Sequence, residues 1–158
     1  MNKSEVPVQG DRINGKVKPG YGVASGKGGD QRYPQGTLRV QAPFFKEKGL
    51  DLNQFFMGTI NFDIAPYRFE IKQPKHFFEN INWSDHIPAE NFYFFDLLVY
   101  FKGEKYVGLI YMPDPETKVE HEQQNNTLEL ILPKIPDLEY GDEASIQVPN
   151  EQMRFYRE

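Results

Sequence analysis

An all-β fold, a small closed barrel of six to seven strands with one short helix, is what this sequence predicts. Three observations point to it. Several short segments alternate apolar and polar residues with a period of two, the signature of half-buried strands. Aromatic residues make up 15% of the chain, with 13 Phe and 9 Tyr against one Trp. Twelve Pro and 13 Gly punctuate it, which favours short strands and turns over long helices. Closure into a barrel is the economical arrangement for such strands, because it leaves no unpaired edge.

The elements follow in order. Residues 1–11 read as a polar lead-in. Arg12–Lys18 alternates, with Ile13, Gly15 and Val17 on one face, and predicts a first strand. It runs into the most Gly-dense stretch of the chain, from Gly20 to Gly29. Thr37–Gln41 reads as a short strand. Pro43–Phe56 is the predicted helical region, broken at Gly49, because Phe and Leu cluster there with Lys and Glu between them. Gly58–Ile64 alternates strictly, with Ile60, Phe62 and Ile64 on one face and Thr59, Asn61 and Asp63 on the other. Pro66 marks a turn into a second strand carrying Tyr67, Phe69 and Ile71, which is expected to pair with the first. Gln73–Asn91 reads as an irregular excursion. Phe92–Phe101 and Tyr106–Met112, joined by Lys102–Lys105, predict a hairpin. Pro113–Asn126 is polar and acidic and reads as a loop. Thr127–Leu132 alternates again, and Tyr140-Gly141-Asp142 turns into a last strand, Ala144–Val148. The expected organisation is one barrel domain over residues 12–149 with a tail at 150–158.

Composition bounds the function. A chain of 158 residues fits one domain and buries a core without staples. With no cysteine, a disulfide scaffold, a thiolate zinc site, an iron–sulfur cluster and a cysteine nucleophile are excluded. The formal net charge of −5 argues against a protein that grips nucleic acid through its phosphates. No apolar run approaches the ~20 residues of a membrane-spanning helix, and Met1–Asp11 lacks the apolar centre of a signal peptide. The expectation is a cytoplasmic protein with neither nucleic acid nor membrane as partner.

The Gly-rich loop fails the standard phosphate-binding signatures. A Walker loop needs four residues between its first Gly and the Gly-Lys pair, followed by Ser or Thr. Here five separate Gly20 from Gly26-Lys27, and Gly28 follows the Lys. A dinucleotide fingerprint starting at Gly20 and Gly22 meets Ser25 where a third Gly belongs. His76, His86 and His121 show no metal-ligand spacing, and no Gly-x-Ser-x-Gly elbow supports a hydrolase triad. Glu120-His121-Glu122 reads as a solvated loop. Thr59, Asn61 and Asp63 leave two readings open. They are the solvent side of a half-buried strand, or they are oxygen donors for a hard cation such as Mg2+, which keeps waters and phosphates in its shell.

Three separated segments together resemble one family, the archaeal-type CTP-dependent riboflavin kinases. Gly15-Lys16-Val17-Lys18-Pro19-Gly20-Tyr21-Gly22-Val23-Ala24 is similar to the family's opening strand and Gly-x-Gly nucleotide loop. Gly58-Thr59-Ile60-Asn61 resembles its Gly-Thr-Leu-Asn strand. The run from Gly108-Leu109-Ile110-Tyr111-Met112-Pro113, through Leu128-Glu129-Leu130-Ile131-Leu132-Pro133, to Tyr140-Gly141-Asp142 follows the family's order of strand, strand and Gly-Asp turn. The resemblance spans Gly15 to Val148 and implies a six-stranded cradle-loop barrel. The chain departs from the family in an insertion over Ser25–Gln41, a second over Gln73–Asn91, and Lys134-Ile135-Pro136-Asp137 where the family has a stretch ending in Leu-Arg.

Carried over residue by residue, the resemblance implies that Pro19, Gly20, Tyr21, Gly22, Val23 and Ala24 line the CTP, and that Thr59 and Asn61 hold Mg2+. Glu129 would touch the flavin at the ribityl hydroxyl that receives the phosphate and act as the catalytic carboxylate. Thr117 is carried over as a flavin contact, one place beyond the family's Thr, where Glu116 stands. The implied reaction moves the CTP γ-phosphate to the riboflavin 5′-hydroxyl and yields FMN and CDP. A second reading stays beside it: a non-catalytic barrel that binds a flavin, another small ligand, or a protein partner through the inserted loops.

Overall fold

The computed structural model describes residues 10–18, 37–114 and 126–157. Most of the predicted lead-in, the Gly-rich loop and most of the Pro113–Asn126 loop lie outside the described residues. Nine strands and one helix are seen among the described residues: β1 (Arg12–Lys18), α1 (Thr37–Glu47), β2 (Ile60–Asp63), β3 (Tyr67–Ile71), β4 (His76–Ile81), β5 (Glu90–Phe101), β6 (Glu104–Pro113), β7 (Thr127–Ile131), β8 (Glu143–Gln147) and β9 (Met153–Arg157).

Six strands close into an antiparallel barrel in the circuit β1–β2–β7–β6–β5–β8 and back to β1. The long strand β5 makes closure compatible with a seventh strand. Its first half, Glu90–Phe94, pairs with β4, and Leu98–Tyr100 pairs with β8 on the same edge. The alternation read from the sequence sets which residues fill the barrel. Val17, Phe62 and Leu128 form one inward row by register, and Ile13, Ile146 and Val99 form another. At Gly15 the Phe62 ring comes so close that a Cβ would lie 2.5 Å from it, so only glycine fits there.

A second apolar cluster lies on the outside of the barrel wall. Leu38 and Phe45 of α1, with Leu52, pack on Phe78, Phe92, Phe94, Leu109, Tyr111 and Ile131. This is what α1 is for in the fold: it covers the outward face of β4–β5–β6–β7, which carries aromatic residues where a solvated barrel would carry polar ones.

Several expectations are corrected. Thr37–Gln41 is not a strand but the first half of α1, and the helix ends at Glu47 instead of running to Phe56. The alternation of Leu38 and Val40 imitates a strand, while the helical spacing of the buried positions 38, 41 and 45 is masked by the polar Gln41. Pro43 sits inside the helix. Residues 39 and 43 are both exposed, so the carbonyl that loses its helical donor to proline lies on the side water can reach. Gly49, at φ +102°, takes the left-handed conformation that follows the helix end.

β2 and β3 do not pair with each other. β2 lies between β1 and β7, and β3 pairs with β9 in a separate two-stranded ribbon. The expected tail therefore contains a strand, with Met153 buried against the barrel core. The Gln73–Asn91 excursion holds β4, whose alternation breaks at a register shift between Phe78 and Ile81, where Asn80 adopts φ 60°. The hairpin turn is two residues rather than four. Lys102 and Gly103 both have positive φ and Phe101 pairs with Glu104, the geometry of a type I′ turn.

Candidate functional site

Strand register brings the candidate residues of β2 and β7 side by side. Asn61 pairs with Glu129, and Glu129 in turn pairs with Tyr111 of β6. Because Leu128 and Leu130 point into the barrel, Glu129 points out, and so do Asn61 and Tyr111. Thr59 precedes β2 and continues the outward alternation. Its Oγ1 donates to Glu129 Oε1 at 3.1 Å, a contact between residues 70 positions apart. A hydroxyl, an amide and a carboxylate are thereby gathered on one partly buried face.

That donor set fits a small hard cation. With its proton given to Glu129, the Thr59 hydroxyl presents lone pairs, and the Asn61 amide oxygen is of the same hard type that Mg2+ prefers. No group of three or more His, Asp or Glu side chains able to hold a metal occurs among the described residues.

Beyond Glu129 the face turns apolar and closed. Tyr111 is 4% exposed and its hydroxyl donates to Gln41 Oε1 of α1 at 2.7 Å, with Gln41 itself 2% exposed. Burial pushes the Tyr111 phenol well above its ordinary range, the negative charges of Glu129 and Glu90 push it further, and the Gln41 bond opposes them. Tyr111 therefore stays a neutral donor, fixing the first half of α1 beside Glu129. Removing only its hydroxyl with Tyr111→Phe leaves the Gln41 amide oxygen buried without a donor. A loss of about 1–3 kcal/mol is expected, read as a lower urea midpoint. Combining it with Gln41→Leu should return most of that loss, since an apolar pair suits the surrounding cluster.

At the barrel rim a second polar group assembles. Asp114 is 6% exposed and its Oδ2 accepts from the Tyr93 hydroxyl at 3.4 Å and from Asn91 Nδ2 at 3.5 Å. Glu90, 5% exposed, accepts from Trp83 Nε1 at 3.2 Å.

Of the residues singled out in the sequence, Thr59, Asn61 and Glu129 are brought together. Pro19, Gly20, Tyr21, Gly22, Val23, Ala24 and Thr117 lie outside the described residues. Tyr111 and Gln41 escaped sequence reading, because a tyrosine in an apolar strand reads as core and a glutamine in a helix reads as surface. The rung from Asn61 through Glu129 to Tyr111 is visible only once β7 is known to lie between β2 and β6. No protein-family model matches the chain, and no curated protein matches it.

Proposed function

We propose that the protein is a Mg2+-dependent phosphotransferase that moves the γ-phosphate of CTP to the 5′-hydroxyl of riboflavin, giving FMN and CDP. The Thr59–Glu129 hydrogen bond beside Asn61 carries this reading. It unites a carboxylate able to accept a hydroxyl proton with oxygen donors suited to the cation that accompanies a nucleoside triphosphate. The closed barrel and the order of its strands along the sequence motifs agree with the family resemblance.

In this reading Thr59 and Asn61 hold the cation, which when bound supplies neutralisation of phosphate charge. Glu129 orients the acceptor hydroxyl and takes its proton as the oxygen attacks the γ-phosphorus. The bond from that phosphorus to the β–γ bridging oxygen breaks, and CDP leaves with the electron pair. Nearly all of the catalysis asked of the protein is positioning and charge compensation. CTP and riboflavin with CDP and FMN are thus the small-molecule partners proposed for the chain.

The test is FMN formation from riboflavin, CTP and Mg2+ by the purified protein, with and without chelator. Asn61→Ala is expected to abolish Mg2+-dependent turnover while leaving the thermal unfolding temperature in place. Unchanged turnover removes the metal role. Flavin binding with no turnover in the wild type supports the non-catalytic flavin-binding barrel instead.

A further inference from the structure

The Tyr111 phenol makes a choice that its strand neighbours do not explain. Tyr111 pairs with Glu129 across β6 and β7, and directly opposed residues on one face of a sheet hold their Cβ atoms about 4.5–5.5 Å apart. A phenol donating to a carboxylate makes a charge-assisted bond, about twice as strong as one between neutral groups. The hydroxyl nevertheless donates to the neutral Gln41 Oε1 at 2.7 Å, on a residue 70 positions away in the sequence. A tyrosine has one proton to give, so the bond made to Gln41 is a bond withheld from Glu129.

Packing, not polarity, puts Gln41 there. It shares the buried side of α1 with Leu38 and Phe45, and apolar contacts of that helix fix where its amide lies. The Tyr111 ring is flanked on the strand side by Phe92 and Phe94, at 5.8 and 5.9 Å between centroids. Two carboxylates act on the phenol, Glu129 more strongly than Glu90. Glu90 already accepts from Trp83 Nε1 at 3.2 Å, which leaves Glu129 as the next acceptor for the hydroxyl once Gln41 is removed. We propose that Gln41 is a positioning residue, which holds the Tyr111 hydroxyl away from Glu129 and so keeps that carboxylate open to the hydroxyl of the substrate. A carboxylate already accepting from a phenol is a poorer acceptor for a second hydroxyl, because bonds to its charged form satisfy it. The helix thereby takes part in the chemistry without touching the reacting atoms. The role rests on the phosphotransferase reading for the identity of the substrate, while the diversion of the phenol belongs to the fold.

The test sets Gln41→Leu against Tyr111→Phe. Each deletes the same hydrogen bond and should lower the urea midpoint, but only Gln41→Leu leaves a hydroxyl to misplace. A crystal structure of Gln41→Leu is expected to show the Tyr111 hydroxyl about 2.5–2.7 Å from a Glu129 carboxylate oxygen. In FMN formation, Gln41→Leu should lose about 10-fold in kcat, the scale of one hydrogen bond, with the KM for CTP unchanged. Tyr111→Phe should fall less, and adding it to Gln41→Leu should recover most of the lost turnover. Should Gln41→Leu fail to fold, Gln41→Met, closer to glutamine in shape, takes its place in every comparison. Equal losses of kcat in the two single variants, in step with their urea midpoints, overturn the proposal and leave the bond a structural tie. A variant structure in which the hydroxyl stays clear of Glu129, or turns to Glu90, overturns it as well. If the wild type forms no FMN, the phosphotransferase reading fails, and the crystal structure of the Gln41 variant decides the diversion by itself.

Discussion

Glu129→Gln is expected to lower kcat about 100- to 10,000-fold, the range a positioned proton acceptor contributes, while CTP affinity stays nearly unchanged. The substitution separates the charge from the shape. A glutamine amide oxygen still accepts from Thr59 Oγ1, which lies 3.1 Å from the present carboxylate oxygen, and the Asn61–Glu129 rung keeps its backbone pairing. What disappears is the ability to take a proton from the acceptor hydroxyl and the negative charge that orients the Thr59 hydroxyl. Steady-state turnover together with CTP titration checks the prediction. The reverse pattern, weakened CTP binding with kcat intact, moves Glu129 out of the chemistry and into nucleotide recognition. The variant complements Asn61→Ala, which should abolish the Mg2+-dependent turnover, whereas Glu129→Gln should leave a residual rate that still depends on Mg2+.

The legible parts of this fold are those where one face of a strand is apolar and the other is not. β1, β2 and β7 alternate cleanly because each forms one wall of the barrel interior, and their boundaries follow from the alternation. Thr59 and Asn61 stood out for the same reason, as polar residues on the outward face of a strand whose inward face is apolar, whereas Glu129 entered only through the family resemblance. Where α1 covers the barrel, that contrast vanishes. Phe92, Phe94, Phe95 and Leu97 are all fully buried, although successive residues of β5 face opposite sides. Pairing was the other limit. Neither β2 nor β3 carries in its own sequence the information that β3 pairs with β9, more than 80 residues away. Gln41 illustrates a third limit, since its burial depends on the Tyr111 hydroxyl from a distant strand.

Phe45→Ala should be the most destabilising single change in the molecule's outer core, at about 3–5 kcal/mol. The Phe45 ring is fully buried. It meets Phe92 and Phe94 edge to face, each at 5.0 Å between centroids, and stacks on Phe78 at 5.8 Å. Through this ring α1 grips both β4 and β5. Truncation removes the ring's burial and opens a cavity that three other rings cannot collapse into without leaving their strands. Against a total stability of ~5–15 kcal/mol for an ordinary domain, the loss should lower the melting temperature by about 10 °C or more. Phe45→Leu should cost clearly less, since it keeps most of the volume. The two apolar clusters share no residue, so the damage should be local. Amide exchange is expected to accelerate most in α1 and β4, and least in β1 and β8, whose partners are all within the barrel. Detaching α1 also withdraws Gln41 from Tyr111 and the cover beside Glu129, so turnover should fall at temperatures where the barrel is still folded. Exchange that accelerates equally in α1 and β1 is the opposing result, and it would make helix and barrel a single cooperative unit in which the site has no separately stable wall.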